Sequence, residues 1–267
     1  VTTAFTDGML ADEATLPPTH PASVLVGGKA LTPEESTNYT IGAVFHASNA
    51  DITLDYFRIA LDDRIARSSQ RKITKDQRDI LKAAGVEDAD NFSQVRFYTN
   101  DFDTITQGID LVVTWPVEMF GGETDFSFAG NWTETSVEER NPEVIDDKRV
   151  TQLEKNLPRV RFTLAANHTN GPWTLLARLR YYGKFTEFAT DDAAAHLDAD
   201  AKSMVDVQGS YAFSDSLTLI GGADNVFDEY PSKHTCCGGN VSGQIYSETS
   251  PYGFNGGYYY LKGVWNF

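Results

Sequence analysis

The chain lacks most of what a metalloenzyme or a helical membrane protein would need. Among 267 residues there are two cysteines, and they are adjacent, Cys236 and Cys237. No CxxC pair and no Cys/His spacing for zinc is present, so no metal ligands are expected. A vicinal disulfide, a bridge to a cysteine elsewhere and free thiols all stay open for the pair. No run approaches the roughly 18 to 20 uncharged apolar residues of a spanning helix, and mean hydropathy is −0.35. That excludes a helical membrane protein but says nothing against a membrane barrel, whose strands alternate apolar and polar residues. Basic residues are scarce, 22 against 38 acidic, for a net charge of −16. Nucleic acid is therefore not expected as a partner, because phosphate binding needs a cationic footprint. The five histidines (His20, His46, His168, His196, His234) are scattered, with no Ser/His/Asp or His-x-x-x-His grouping. No catalytic constellation is expected, and no cofactor. No signal peptide opens at Val1, which in an exported protein implies a mature form or a piece of a longer chain.

What is abundant is aromatic side chains and period-2 alternation. Tyr, Phe and Trp number 12, 16 and 4. From about residue 37 to the end, the alternation sorts into about nine strands. In 124–133, Phe126, Phe128 and Trp132 alternate with Asp125, Ser127, Asn131 and Thr133. In 159–168, Val160, Phe162 and Leu164 alternate with Arg159, Arg161 and Thr163, and in 172–185, Leu175, Leu179 and Tyr181 alternate with Arg178, Arg180 and Tyr182. Val205, Val207 and Tyr211 alternate with Asp206, Gln208 and Ser210. Strands near 39–48, 105–115 and 217–227 alternate less cleanly, and the one starting at Ile52 slips at Arg58, as a bulge would make it do. Residues 1–36, with Pro17-Pro18, Pro21, Gly27-Gly28 and Pro33, show no period and read as an irregular loop or the torn end of a larger chain.

The connections carry more than the strands. Four are short turn clusters: 48–51, 119–122, 169–171 and 213–216. Four are long and polar: 69–94, 137–156, 189–202 and 229–253. Short and long alternate without exception. An antiparallel meander does this when all its turns lie at one end and all its loops at the other, as in membrane β-barrels with short periplasmic turns and long extracellular loops. A Greek-key sandwich has no reason to keep that alternation. The fold class expected is all-β, an antiparallel up-and-down transmembrane β-barrel segment over 37–267. Within the first long loop, Thr74 to Ala84 reads as a short amphipathic helix stopped by Gly85.

The last strand, 258–267, ends on Phe267, with Trp265, Leu261 and Tyr259 on the same face. It resembles the sorting signal of bacterial outer-membrane barrels. Further segments, in order, resemble the C-terminal half of TonB-dependent receptors: Leu31-Thr32-Pro33-Glu34-Glu35-Ser36, Thr106-Gln107-Gly108-Ile109-Asp110, Asn156-Leu157-Pro158-Arg159 and Ser250 to Tyr258. The most specific is Asp224-Asn225-Val226-Phe227-Asp228-Glu229-Tyr230-Pro231, placed just before the closing strand. The resemblance implies a barrel of about 22 strands with a plugged lumen. This chain would supply about nine of them, with the plug and the TonB-contact segment elsewhere. It also implies the bacterial outer membrane, surrounding lipid, coupling to the TonB complex, and a small-molecule or iron-chelate ligand.

Four arginines stand out as candidate lumen, plug or ligand contacts: Arg159, Arg161, Arg178 and Arg180. With a tight turn at 169–171, Arg161 is expected opposite Arg178 and Arg159 opposite Arg180, a repelling set unless anions are nearby. Such anions could come from the plug, from acidic neighbours on other strands or from a substrate. Asp191, Asp192, Asp198 and Asp200 form an acidic loop whose readings are a solvated surface or an oxygen-ligated Ca²⁺. Tyr246, Tyr252 and Phe254 are candidate ligand contacts or members of an outer aromatic girdle. The function expected is import of a scarce solute such as a ferric siderophore. The alternative is a non-transporting surface barrel or adhesin that binds a partner through its loops.

Overall fold

A computed structural model describes residues 2–6, 9–87, 89–188, 196–234, 245–247 and 249–267, with side chains from residue 14 onward. The chain divides into two compact units, one of 1–38, 59–106 and 135–154, the other of 39–58, 107–134 and 155–267. Each is described by itself.

The dominant sheet has nine strands in sequential order, an up-and-down antiparallel meander. They are β1 (Glu35–Ala47), β2 (Ala50–Asp62), β3 (Phe102–Met119), β4 (Gly122–Arg140), β5 (Val160–Asn170), β6 (Trp173–Tyr182), β7 (Lys202–Ser214), β8 (Leu217–Asp224) and β9 (Tyr258–Trp265). The ends 35–38, 59–62, 102–106 and 135–140 are counted in the first unit. The expected alternation of connections is present. Ser48-Asn49, Phe120-Gly121, Gly171-Pro172 and Asp215-Ser216 are two-residue turns, and the other four connections are long. Phe120 and Gly121 both take positive φ (51° and 77°), as tight hairpins whose twist matches the strands require. The alternation slip at Arg58 does not end β2, which runs on to Asp62.

One expectation about register is corrected. The turn after β5 is Gly171-Pro172, so Asn170 pairs with Trp173, Arg161 faces Tyr182, Arg180 faces Thr163 and Arg178 faces Ala165. The physical reason is turn chemistry. Gly171 supplies a positive φ of 54°, and the ring of Pro172 fixes the negative φ that follows it. Placing the turn two residues later slides the arginines past one another.

The apolar members of β5 to β9 share one face, and that face is open. Val160, Leu164, Trp173, Leu175, Val207 and Leu219 are all exposed, as are Leu261 (73%) and Trp265 (66%). Aromatic residues lie toward both ends of it: Trp173 packs edge-on against Tyr211 at 4.6 Å and Tyr211 against Phe213 at 4.7 Å near the short turns, while Phe162 stacks on Tyr181 at 4.8 Å toward the long connections. A continuous exposed apolar face of this size is what a lipid-facing wall presents and what a soluble domain avoids.

The first unit contains two further sheets. Strands 2–6, 9–15, 92–96 and 71–72 form a four-stranded sheet in that order, and 66–67 pairs with 98–99. Residues 1–36, read as irregular from their sequence, thus contain two strands and a helical turn, Pro21–Val24. The core is Phe97, Val95, Ile145, Val144, Leu81 and Ala22, with Val150 and Leu153 packed against it. The expected helix is Lys75–Ala83, and Thr74 and Gln77 close a reciprocal capping box at its start. Gly85, at φ 77°, follows its end. Thr74→Ala is expected to destabilise this helix by about 1 kcal/mol. Hydrogen exchange should show that loss in 75–83 and leave β5 to β9 unchanged.

Candidate functional site

The polar face of β6 to β8 is organised by one carboxylate. Asp206, on β7, is 3% exposed. Its Oδ2 accepts from Nε of Arg178 (2.8 Å) and Nε of Arg180 (2.9 Å), and its Oδ1 accepts from Nη2 of Arg180 (2.8 Å). The register places Arg178 directly across from Asp206, so the bond pattern follows from strand pairing. A fourth donor completes the set: the backbone N–H of Asn225, at 2.8 Å from Oδ1. Two of the four candidate arginines therefore share one carboxylate within the sheet, Arg178 also lying 3.9 Å from Asp224, while Arg159 pairs with Glu134 at 2.6 Å. Arg161 lies between Asn131 and Tyr182 on its two neighbours. The four do not assemble into one cluster.

The bond from Asn225 explains the chemistry of the segment 224–231. Asn225 takes φ 51° and Asp228 φ 57°, left-handed conformations that Asn and Asp adopt more readily than other side chains. The Asn225 amide then bridges its own turn, donating to the Glu229 carbonyl (2.8 Å) and accepting from its N–H (3.0 Å). Asp228 accepts from the N–H of Gly257 at 2.8 Å, and Tyr259 donates to the Val226 carbonyl at 3.3 Å. Glu229 pairs with Lys202 at 3.1 Å. The segment is thus a clamp that ties β7, β8 and the lead into β9.

A second buried polar group ties the long connections of this unit. Glu187, on strand Phe185–Phe188 of a small hairpin with His196–Ala199, accepts from Ser247 Oγ and from Thr249 Oγ1 (2.8 Å). His234 Nε2 lies 3.7 Å from the same carboxylate. Ser247 thus engages the carboxylate. Tyr252 packs on Phe185, Leu197 and Ala199, and its ring lies 5.2 Å from that of Tyr182. Tyr246 stacks on Tyr230 at 5.7 Å, and Phe254 is exposed. A cleft of about 590 Å³, lined by Lys155, Arg159, Lys184, Thr186, Asp198 and Asp200, opens beside the hairpin.

Of the acidic loop, Asp198 accepts from Thr186 Oγ1 at 2.8 Å and Asp200 faces Lys184 at 3.6 Å. Asp191, Asp192, Cys236 and Cys237 lie outside the described residues. Among the described residues no group of three or more His, Cys, Asp or Glu is arranged to hold a metal. Tyr259, Leu261 and Trp265 stand on one face of β9, opposite Ala223, Gly221 and Leu217, and Phe267 follows the strand.

Sequence reasoning placed Asp206 on the polar side of its strand without seeing its role. Its signal was positional: an acid on β7 at the level of two arginines on β6. Glu187 and His234 carried no such signal, because their partners come from separate loops.

Comparison with known proteins follows this geometry. The family model described as TonB dependent receptor-like, beta-barrel matches residues 3–226. No curated protein matches the sequence. Among solved structures, the ferripyoverdine receptor of the outer membrane of Pseudomonas aeruginosa superposes with a TM-score of 0.56 at 16% identity, over 91% of this chain and 28% of that one. A mutant of the ferric enterobactin receptor from Pseudomonas aeruginosa gives 0.55 at 18%, over 89% and 32%. The copper transporter OprC gives 0.55 at 16%, again over 89% and 32%. The chain spans about a third or less of the length of these structures.

Proposed function

We propose, from the premise that the chain belongs to the family of TonB dependent receptor-like β-barrels, that it forms part of the wall and outer loops of a receptor that imports a scarce solute across the bacterial outer membrane, with a ferric siderophore as the leading substrate class. The observation that carries this reading is the division of the nine-stranded sheet. One face is apolar and exposed, as lipid requires. The other face carries buried charge centred on Asp206, as a wall facing a polar interior requires. The long connections present a charged cleft and aromatic side chains to whatever is bound. Two of the structural relatives are, by name, receptors of iron chelates, and one is a copper transporter. Those names favour a metal-bearing cargo without choosing between metals.

In this reading β1 and β9 pair with further strands to close the barrel, since an open edge has no hydrogen-bond partner in a membrane. Arg159, Arg161, Arg178 and Arg180 belong to the polar inner face, and Tyr246, Tyr252 and Phe254 to the loop surface that meets the ligand. Energy comes from TonB, through a plug that these nine strands surround in part. The test is uptake by iron-starved cells given radiolabelled ferric siderophores, with and without the gene, in TonB-competent and TonB-deficient strains. Loss of uptake on deletion, reproduced by loss of TonB, is expected. Unchanged uptake of every chelate and of copper, or uptake that survives without TonB, would overturn the proposal.

A further inference from the structure

The apolar face of the large sheet is not filled evenly. Toward the short turns it sinks into a groove of about 490 Å³, whose lining includes Phe126, Ala166, Leu175, Ala177, Gly209 and Gly221. Strand register builds it. Phe126 pairs with Ala166 and Ala166 with Ala177. Gly209 on β7 pairs with Gly221 on β8, and the two lie between Leu175 on β6 and Leu261 on β9. Facing residues of adjacent strands are neighbours, so small residues in facing positions leave a hollow between larger ones.

Glycine inside a strand weakens it, and often marks a place where something approaches the backbone closely. At three other glycines of this sheet the approaching group is a ring of the chain itself. A Cβ on Gly108 would come within 2.5 Å of the Phe57 ring, one on Gly130 within 2.7 Å of Phe128, and one on Gly222 within 2.6 Å of Tyr260. Gly209 and Gly221 differ. A Cβ on Gly209 would meet Leu175 Cδ2 at 3.4 Å, and one on Gly221 would meet Leu261 Cδ1 at 3.7 Å, both ordinary contacts. Neither residue has a positive φ, and among the described residues no ring comes within 4 Å of either position. Nothing in the chain itself therefore calls for glycine at this pair.

The groove has a polar end. Thr124 (4% exposed) and His168 line it beside the Phe120-Gly121 turn, with Thr124 Oγ1 2.8 Å from His168 Nδ1. In the tautomer protonated at Nε2, Nδ1 accepts from the hydroxyl and Nε2–H is a further donor. Among the described residues no Asp, Glu, Lys or Arg lines the groove, which suits a hydrocarbon and not a charged ligand.

We propose that this groove holds one acyl chain of a phospholipid of the periplasmic leaflet, lying over Gly209 and Gly221 with its ester end at His168. The leaflet follows from the short turns, which a membrane barrel directs to the periplasm. The groove is continuous with the exposed apolar face that carries Leu164, Trp173 and Leu219, so the lipid bathing that face supplies the occupant. An unbranched chain can lie against backbone where side chains are missing, and the ester carbonyl accepts from Nε2–H. The role of the groove rests on the apolar face being lipid-facing, and not on which cargo is imported.

The intact receptor is reconstituted in nanodiscs with phosphatidylethanolamine carrying a photoactivatable diazirine in one acyl chain, and labelled peptides are mapped by mass spectrometry. Label should concentrate on 164–177 and 205–223, about tenfold above the rest of the apolar face. Gly209→Val and Gly221→Leu put side chains into the groove at positions where a Cβ fits. Each should remove that excess and leave the hydrogen-exchange protection of β5 to β9 intact. Native mass spectrometry after detergent washing is the second measurement, with one phospholipid retained by the wild type and none by either variant. Even labelling of the face, an excess unchanged in both variants, or no lipid retained by the wild type would overturn the groove and leave the lipid-facing wall standing. A face without any label would overturn both. The labelling is repeated in isolated outer membranes loaded with the same lipid. A groove labelled in nanodiscs and not there would belong to a protein segment, which would overturn the lipid assignment.

Discussion

Asp206→Ala should lower the stability of the folded wall by about 3 kcal/mol, one of the two largest single-residue effects expected in this chain. The carboxylate is 3% exposed and takes four hydrogen bonds, three from the guanidiniums of Arg178 and Arg180 and one from the N–H of Asn225. Deleting it leaves two cations on one face without their shared anion and a buried N–H without an acceptor. The full cost of a buried broken pair is about 3 to 5 kcal/mol. The low end applies because Arg178 and Arg180 are 39% and 26% exposed, so water recovers part of their solvation. Asp206→Asn retains an oxygen acceptor and loses only the charge, so about half that effect is expected. Arg178→Ala should cost less still, since Arg180 alone then neutralises Asp206. The measurement is urea unfolding of the receptor in lipid vesicles. Equal stability of Asp206→Ala and wild type would remove Asp206 as the organising group of this face.

The same residue shows how far a sequence can be read. The nine strands of the meander, their order and three of its four short turns were legible, because each is local: side-chain alternation has a period of two and turns need particular residues; the short strands within 1–36 and within the long connections were not. The helix Lys75–Ala83 was legible for the same reason, through Thr74 and Gly85. The helix Asp147–Lys155 was missed although its signals were present. Asp146 caps it, and Val150 and Leu153 are spaced three apart and pack against the core. The high charge of 138–149 masked that short apolar stripe. Register was not legible, since moving one turn from 169–171 to Gly171-Pro172 changed every cross-strand partner of the arginines. Electrostatic pairing inherits that uncertainty. Which cation meets which anion depends on register across three strands, so the polar face could be foreseen and its centre at Asp206 could not.

Phe97→Ala carries the other large effect, about 3 to 5 kcal/mol, and it should fall on the first unit. Phe97 is fully buried (0%) among a core that includes Val95, Ile145, Val144 and Leu81. Its backbone is held as well: its carbonyl accepts from the N–H of Ser68 at 2.7 Å, and its own N–H donates to Ser68 Oγ at 3.2 Å. Removing the ring opens a cavity that the small sheets of this unit cannot easily collapse to fill. Units of limited core open locally before the whole fold does, so the expected result is proteolytic cutting within 63–101 and 141–159. The strands β5 to β9, which have a separate set of contacts, should keep their hydrogen-exchange protection. Phe120→Ala is the control. That ring is 82% exposed in a two-residue turn, so its loss should cost under about 0.5 kcal/mol in water. Protection lost throughout β5 to β9 in Phe97→Ala would show that the two units do not unfold separately. Unchanged protease resistance would show that the ring is not what holds the first unit together.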